Sequence, residues 1–538
     1  MKKKRDKKAA MKTIQFLIVL LLSLSVRGWA ESARPNILFV FGDDWGRNAS
    51  CYRDPARPSV NDVVNTPNID RVAREGVLFR NAFVGVSSCT PSRASVVTGC
   101  YFWRCGKRAF LQADAGWEKN QVPEPGAALP GFGRLLQQAG YATSVAGKTL
   151  DGDWFPAKNI PLGGDRLTFS RYAEKNKLNR DQTAKVFEGV VRDVVQKILA
   201  DRKPGQPFAH VLGPIGPHRP FPKGSGEKLW GIDPDALKGK LPPFIPDVTE
   251  CRSDFADTLG EVLALDLEIG WLLDELEKAG ELDNTMIVLT GDNGVCMPRG
   301  KTHCYDIAVH APLMIRWPKG IARPGRVLED FVNIMDLAPT WLEAARLQPP
   351  ATMDGRSLMP LLKSEKSGQI DVQRDHVVVG RERHEATTRP DGMPYPMRAI
   401  RTADFLYIRN FKPDRWPSGD PYDADGPGGD PSWRDNYTVM WLVAHRDEPG
   451  VKPLYDLIYG KRPGEELYYL RRDPDQMCNV AGDPNYAATK AALSKKLMSV
   501  LEKTADPRLT DAFDKPPYVT GLGPAPGARK KKAAAKKQ

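Results

Sequence analysis

Short apolar runs that stop abruptly at glycine and charge recur along this chain. They alternate with stretches in which apolar residues return every three or four positions. Residues 36–41 run into Gly42-Asp43-Asp44, residues 141–146 into Gly147-Lys148, and residues 285–290 into Gly291-Asp292-Asn293; residues 207–212 form a fourth run before Gly213-Pro214. Runs of this length and composition predict buried parallel strands whose C-terminal ends deliver polar side chains. The spacing over residues 68–75, 133–139 and 254–279 predicts helices, the last stopped by Gly280. Strand alternating with helix predicts an α/β fold with a large mixed, mostly parallel sheet flanked by helices.

Beyond residue 370 the pattern changes. Trp, Tyr, Pro and Gly become dense, residues 397–401 and 405–409 look like short strands, and residues 486–503 have helical spacing. This predicts a smaller α+β domain over 371–510 after a main catalytic domain over 31–370. A Pro/Gly and Lys/Ala-rich stretch, 511–538, is expected to be a disordered basic tail.

The formal charge of +12 suggests a polyanion binder until it is located. The first twelve residues carry +6 and residues 529–538 another +6, so residues 13–528 are formally neutral. A global basic field for nucleic acid is therefore excluded. The basic start, the apolar run over 14–26 and the small Ala30 predict a secretory signal peptide over residues 1–30 and an exported protein, periplasmic, extracellular or lysosomal. An uncleaved membrane anchor is the alternative, although the run is short for a span. Eight cysteines in an exported chain allow disulfides, and Cys100 and Cys105 are close enough in sequence to pair.

Two strand ends and one turn carry candidate chemistry. Asp43, Asp44, Asp292 and Asn293 are oxygen donors suited to a hard divalent cation, and in an open α/β sheet they can meet beyond the strand ends. Cys89 opens Cys-Thr-Pro-Ser-Arg, a turn entering a helix, with Arg93 projecting back towards the sulfur.

Cys-x-Pro-Ser-Arg followed by Ala94-Ser95 and Thr98-Gly99 resembles the signature of type I sulfatases, and the resemblance extends from Arg34 to about Arg508. It implies the alkaline-phosphatase-like sulfatase fold and conversion of Cys89 to formylglycine by a host maturation enzyme. It also implies one Ca²⁺ held by Asp43, Asp44, Asp292, Asn293 and residue 89. Arg93, Lys148, His218 and Lys301 match the residues that steady the nucleophile, bind sulfate and protonate the leaving group. Val86-Ser87-Ser88-Cys89, residues 301–318 and Tyr395-Pro396-Met397-Arg398 are most similar to the sulfamidase, or heparan N-sulfatase, branch. That branch implies a sulfated saccharide substrate, N-sulfoglucosamine in particular, with O-sulfated glycans as the alternative. His384, in the segment 381–384, is a candidate substrate contact.

One departure stands out: the family has a histidine where this chain has Leu150. His303 and His310 are the candidates to replace it, and restoring histidine at 150 is expected to change the second half-reaction. The mechanism implied is attack of the formylglycine hydrate on sulfur, a covalent sulfoenzyme, then expulsion of sulfate. A phosphoester hydrolase on the same fold would want a Ser or Thr nucleophile and more His/Asp ligands than this seven-histidine chain offers. A noncatalytic sulfated-glycan binder is supported only by Leu150.

Overall fold

A computed structural model describes residues 34–111, 129–148, 150, 152–162, 167–214, 216–384, 389, 392–422 and 435–519. The expected signal peptide lies outside them. Among the described residues no helix is long and apolar enough to cross a membrane.

Ten strands belong to the first two-thirds of the chain: β1 (Asn36–Gly42), β2 (Val77–Phe79), β3 (Ala82–Phe83), β4 (Ala142–Gly147), β5 (Lys158–Ile160), β6 (Phe208–Gly213), β7 (Thr285–Gly291), β8 (Leu313–Arg316), β9 (Arg326–Leu328) and β10 (Val332–Asn333). Eight of them form one sheet in the order β5-β4-β6-β1-β7-β8-β2-β9, parallel except where β8 pairs with β7 and β2. The remaining two, β3 and β10, pair in parallel with each other.

Strand β1 shows why so apolar a run is central. Ile37, Phe39 and Phe41 pack into the core on one face with Trp341, while Leu38 and Val40 pack on the other with Leu265 and Leu272. A side chain on either face is thus removed from water, as a doubly covered strand requires. Its register with the neighbouring strand aligns Gly42 with Gly291, and that of β4 with β6 aligns Gly147 with Gly213. The acid and amide pairs consequently leave the sheet side by side, with Lys148 nearby at the same edge. Glycine is required at these exits: a Cβ on Gly291 would lie 2.1 Å from the Trp45 carbonyl oxygen, and one on Gly213 1.9 Å from that of Lys148.

The helices that matter to the site are α1 (Pro67–Glu75), α2 (Cys89–Thr98), α3 (Phe132–Gln138), α4 (Phe169–Asn176), α5 (Arg180–Ala200), α6 (Thr249–Lys278) and α7 (Ala487–Lys503). Helix α6 starts five residues before the expected position and ends at its expected stop. Its buried acids have structural partners that no periodicity reveals. Asp266 accepts from the backbone N–H groups of Asn68 and Ile69 at the start of α1, Glu261 from that of Ser170 at the start of α4, and Asp257 from Gly226. Each caps N–H groups that have no partner within their own helix.

The C-terminal part is an antiparallel sheet of β11 (His376–Arg381), β12 (Met397–Thr402), β13 (Phe405–Asn410) and β14 (Glu465–Tyr469), in that order. Leu493, Leu497 and Leu501 of α7 cover it against Ile400, Tyr407 and Leu467. The described residues from Asn36 onward form one compact unit. The Gly380 N–H donates to the Gly85 carbonyl at 2.9 Å, which ties β11 to the segment leading into Cys89.

Two expectations need correction. Residues 511–519 are folded, with Phe513 and Tyr518 packed on Phe110; the basic stretch from 520 lies outside the described residues. All eight cysteines are free, so Cys100 and Cys105 form no disulfide. Both thiols are buried and hydrogen-bonded to backbone carbonyls, Cys100 to Thr98 and Thr352 and Cys105 to Tyr101.

A fully buried ion network closes the C-terminal sheet. Arg398 pairs with Glu382 at 2.8 Å and Asp506 at 2.6 Å, and Arg508 pairs with Glu382 at 2.6 Å; all four side chains are fully buried. Removing one partner strands a charge where water cannot reach it. Arg398→Met is therefore expected to lower unfolding stability by about 3–5 kcal/mol. Chemical denaturation measures this, and a loss below about 1 kcal/mol would show that the network does not hold the sheet.

Candidate active site

The floor of the site is built where β1 and β7 end. Asp43, Asp44, Asp292 and Asn293 are all buried there. Asp44 sits at φ 60°, a left-handed backbone that costs energy for any residue but glycine, and its N–H donates to Asp292 Oδ1 at 3.1 Å. Asn293 Nδ2 donates to Asp44 Oδ1 at 2.8 Å.

Cations answer each carboxylate. Lys148 Nζ lies 2.5 Å from Asp43 Oδ2, Lys301 Nζ 2.6 Å from Asp44 Oδ1, and Arg93 Nη2 2.8 Å from Asp292 Oδ2. Burial pushes the carboxyls of Asp43 and Asp44 up, but the cations around them together outweigh it, Lys148 foremost at the first and Lys301 at the second, with His218 adding to both, so both are held below their ordinary value. Lys301 feels the converse. Burial disfavours its charge, yet Asp44, with Cys89 and Asp43 behind it, holds it well above the usual lysine range.

Cys89 is the first residue of α2 and is 7% exposed. Unpaired N–H groups at the helix start favour an anion beside it. A negative charge on residue 89 would lie within electrostatic reach of Arg93, Lys148 and Lys301. Arg93 is steadied from three sides: Nε donates to Asp292 at 2.9 Å, Nη1 to the Lys148 carbonyl at 3.1 Å, and the guanidinium lies over Phe41. The loop bearing Lys301 is fixed by Thr302, whose N–H donates to the carbonyl and Oγ of Ser87 at 2.8 and 3.0 Å. Those bonds hold Thr302 at φ 74°, unusual for a β-branched residue.

His218 stands at the rim. Its Nδ1 donates to the Arg219 carbonyl at 2.5 Å, which leaves Nε2 turned towards Asp44, 3.8 Å from Oδ2. Asp43, Asp44 and His218 each offer a ligand atom within 4.8 Å of the others. Asp43 Oδ1, Asp44 Oδ2 and Asn293 Oδ1 are buried without a hydrogen-bond partner. Orphaned oxygens from two strand ends fit a hard divalent cation. The close cluster differs from the expected ligand set: it contains His218, and it contains neither Asp292, whose oxygens are engaged by Arg93 and the Asp44 N–H, nor the Cys89 thiol.

The other histidines separate clearly. His384 is drawn into the site: its Nδ1 shares a 2.9 Å hydrogen bond with Ser88 Oγ. Burial first, then Lys301 and Arg381, push its pKa well down, so the ring is neutral. His303 is buried beside Tyr305 and faces Arg381, Arg462 and Arg299. The structure gives it no hydrogen bond to the site's residues. His310 is not part of the site: it stacks on Phe83, meets Arg47 and bonds the Arg80 carbonyl.

Leu150 is 6% exposed and belongs to the apolar core that also holds Val145, Trp154 and Phe155. An imidazole there would be buried among apolar side chains, and a polar group buried without a hydrogen bond costs about 1–3 kcal/mol. Leu150→His is thus expected to lower the melting temperature without speeding turnover. Faster turnover at unchanged melting temperature would show that position 150 opens onto the reacting group.

Sequence reasoning missed Ser87 and Ser88 as the residues that seat Thr302 and His384. Their partners lie 215 and 296 residues away, and no local pattern marks them.

The geometry defines an α/β fold with three buried carboxylate–cation pairs beyond the ends of β1 and β7 and a cysteine at the first residue of the neighbouring helix α2. The sulfatase family profile matches residues 35–347, and the profile described as N-sulphoglucosamine sulphohydrolase, C-terminal, matches residues 299–415. Human N-sulphoglucosamine sulphohydrolase is 30% identical over 90% of this chain and 93% of its own length. An ulvan-active sulfatase of Formosa agariphila is 26% identical over 90% of this chain and 83% of its own length. Among solved structures, one described as a complex with its substrate D-glucosamine-2-N,6-O-disulfate has a TM-score of 0.57 at 21% identity, covering 88% of this chain and 98% of its own. The phosphonate monoester hydrolase of Agrobacterium radiobacter, also at TM-score 0.57, shares the fold at 18% identity, over 89% of this chain and 97% of its own. The chain belongs to the sulfatase family, hydrolases of sulfate esters and sulfamates.

Proposed function

We propose that this protein removes sulfate from a sulfated saccharide, with N-sulfoglucosamine as the unit it takes. The observation that carries this reading is the gathering of three buried carboxylate–cation pairs, Asp292 with Arg93, Asp43 with Lys148 and Asp44 with Lys301, at the strand ends, with Arg93 one turn along α2 from Cys89. Three fixed cations around one nucleophile position suit an anion whose nonbridging oxygens gain charge as the bridging bond breaks. The similarity to a sulphoglucosamine sulphohydrolase along nearly the whole chain favours the N-sulfated sugar.

Roles follow from placement. Lys148 and Lys301 bind the sulfate oxygens, and Arg93 holds residue 89 in line. His218, with Nδ1 tied to the Arg219 carbonyl, presents Nε2 to protonate the departing nitrogen or oxygen. His384, neutral and bonded to Ser88, borders the same space and is placed to contact the sugar. Asp43, Asp44 and Asn293, with Asp292 beneath, are the residues that would hold Ca²⁺. Formylglycine at position 89 would supply a hydrated aldehyde as the nucleophile, and a divalent cation held by these residues would supply Lewis-acid charge beside it. A host maturation enzyme would make that aldehyde, and the N-terminal apolar run would export the chain.

Incubation of the matured protein with N-sulfated and 6-O-sulfated glucosamine, following free sulfate, tests the reading. Release from the N-sulfated sugar is expected. Release from the O-sulfated sugar alone would move the substrate class to O-sulfated glycans, and an unmodified thiol at residue 89 in native protein with no release from either would overturn the proposal.

A further inference from the structure

Helices α4, α5 and α6 enclose a cavity of about 390 Å³ that the hydrolytic site does not use. Phe169, Tyr172, Val190, Val194 and Leu272 make its walls apolar. Gly147 and Gly216 also line it, so it lies against the segments that lead to Lys148 and His218. Its volume is within the range of small-molecule sites, which are mostly apolar with a few placed polar groups.

Among the described lining residues the charged groups are of one sign: Glu261 and Glu268 lie two turns apart on one face of α6, with no Lys, Arg or His. Glu261 is fully buried; one oxygen accepts from the Ser170 N–H at 3.0 Å, while Oε2 has no hydrogen-bond partner. The other buried acids of α6 are spent on helix starts or, for Asp254, on Arg219. Glu268 caps nothing. Burial, with Glu261 adding to it, pushes its carboxyl up to about 8. Two carboxyls in an apolar chamber with no opposite charge among the described lining residues are costly to ionise unless a cation enters with them.

We propose that this cavity binds an amphiphilic primary amine, its aliphatic body against the apolar walls and its ammonium at the carboxyl of Glu268. Calorimetric titration of the whole protein with octylamine tests this, with octanol and octanoate as matched probes. Octylamine is expected to bind at one site per chain, about tenfold or more tighter than octanol, because a charge-assisted hydrogen bond replaces a neutral one. Octanoate is expected not to bind. Glu268→Gln should remove the octylamine advantage and leave octanol unchanged, and Val190→Trp, which fills the chamber, should remove both. Equal affinity for octylamine and octanol, or octylamine binding that survives both substitutions, would overturn the proposal. Because the readout is binding, failure here leaves the sulfatase reading standing, and the converse holds.

Discussion

Cys89→Ala is expected to release no measurable sulfate, a loss on the order of 10⁴- to 10⁶-fold, as for removal of other catalytic nucleophiles. Cys89→Ser should fail equally in a host that matures only cysteine. The fold should survive both: the side chain is small, stands at the first residue of α2, and the helix is anchored independently by Arg93 and by the apolar Val96 and Val97. A stability change beyond about 1 kcal/mol would be out of scale for so small a truncation. Assaying purified variants for sulfate release, with melting temperature as the control, decides the matter. Substantial activity in Cys89→Ala would sink the assignment of residue 89 as nucleophile.

Calcium is expected to raise the melting temperature of chelator-treated protein by several degrees, and Asp43→Asn should remove most of that rise. The cause is the crowding of Asp43, Asp44 and Asp292 with Asn293, where Asp43 Oδ1, Asp44 Oδ2 and Asn293 Oδ1 are buried without partners. An ion that binds only the folded chain stabilises it by about 4 kcal/mol at a thousand times its dissociation constant. Lys148 and Lys301 satisfy one oxygen each of Asp43 and Asp44, so the protein should remain folded without the ion. Thermal melts with calcium, chelator and magnesium check this. Identical melts of wild type and Asp43→Asn under all three conditions would show that the cluster is not a cation site.

Much of the site was legible in the sequence because strands in a parallel sheet deliver their last residues to a common edge. The acid pair after β1 and the acid-amide pair after β7 could be brought together by that rule alone, and the Gly42 to Gly291 register does so. Lys148 was legible for the same reason. His384 was only one of several candidates by motif. Nothing local told it from His303 and His310; Ser88, nearly three hundred residues earlier, selects it.

Leu150 shows the limit most plainly. By motif it marks a missing base, yet in the fold it is a core residue. The sequence by itself determined the periodicities, the nucleophile motif and the oxygen and cation types available, since these depend on neighbours within a few residues. Tertiary structure alone decided which oxygen meets which cation, which oxygens remain orphaned, which histidine enters the site and that the cysteines stay unpaired. Those outcomes depend on distances between residues far apart in the chain, set by strand register and by the packing of the C-terminal sheet against the segment that carries Cys89.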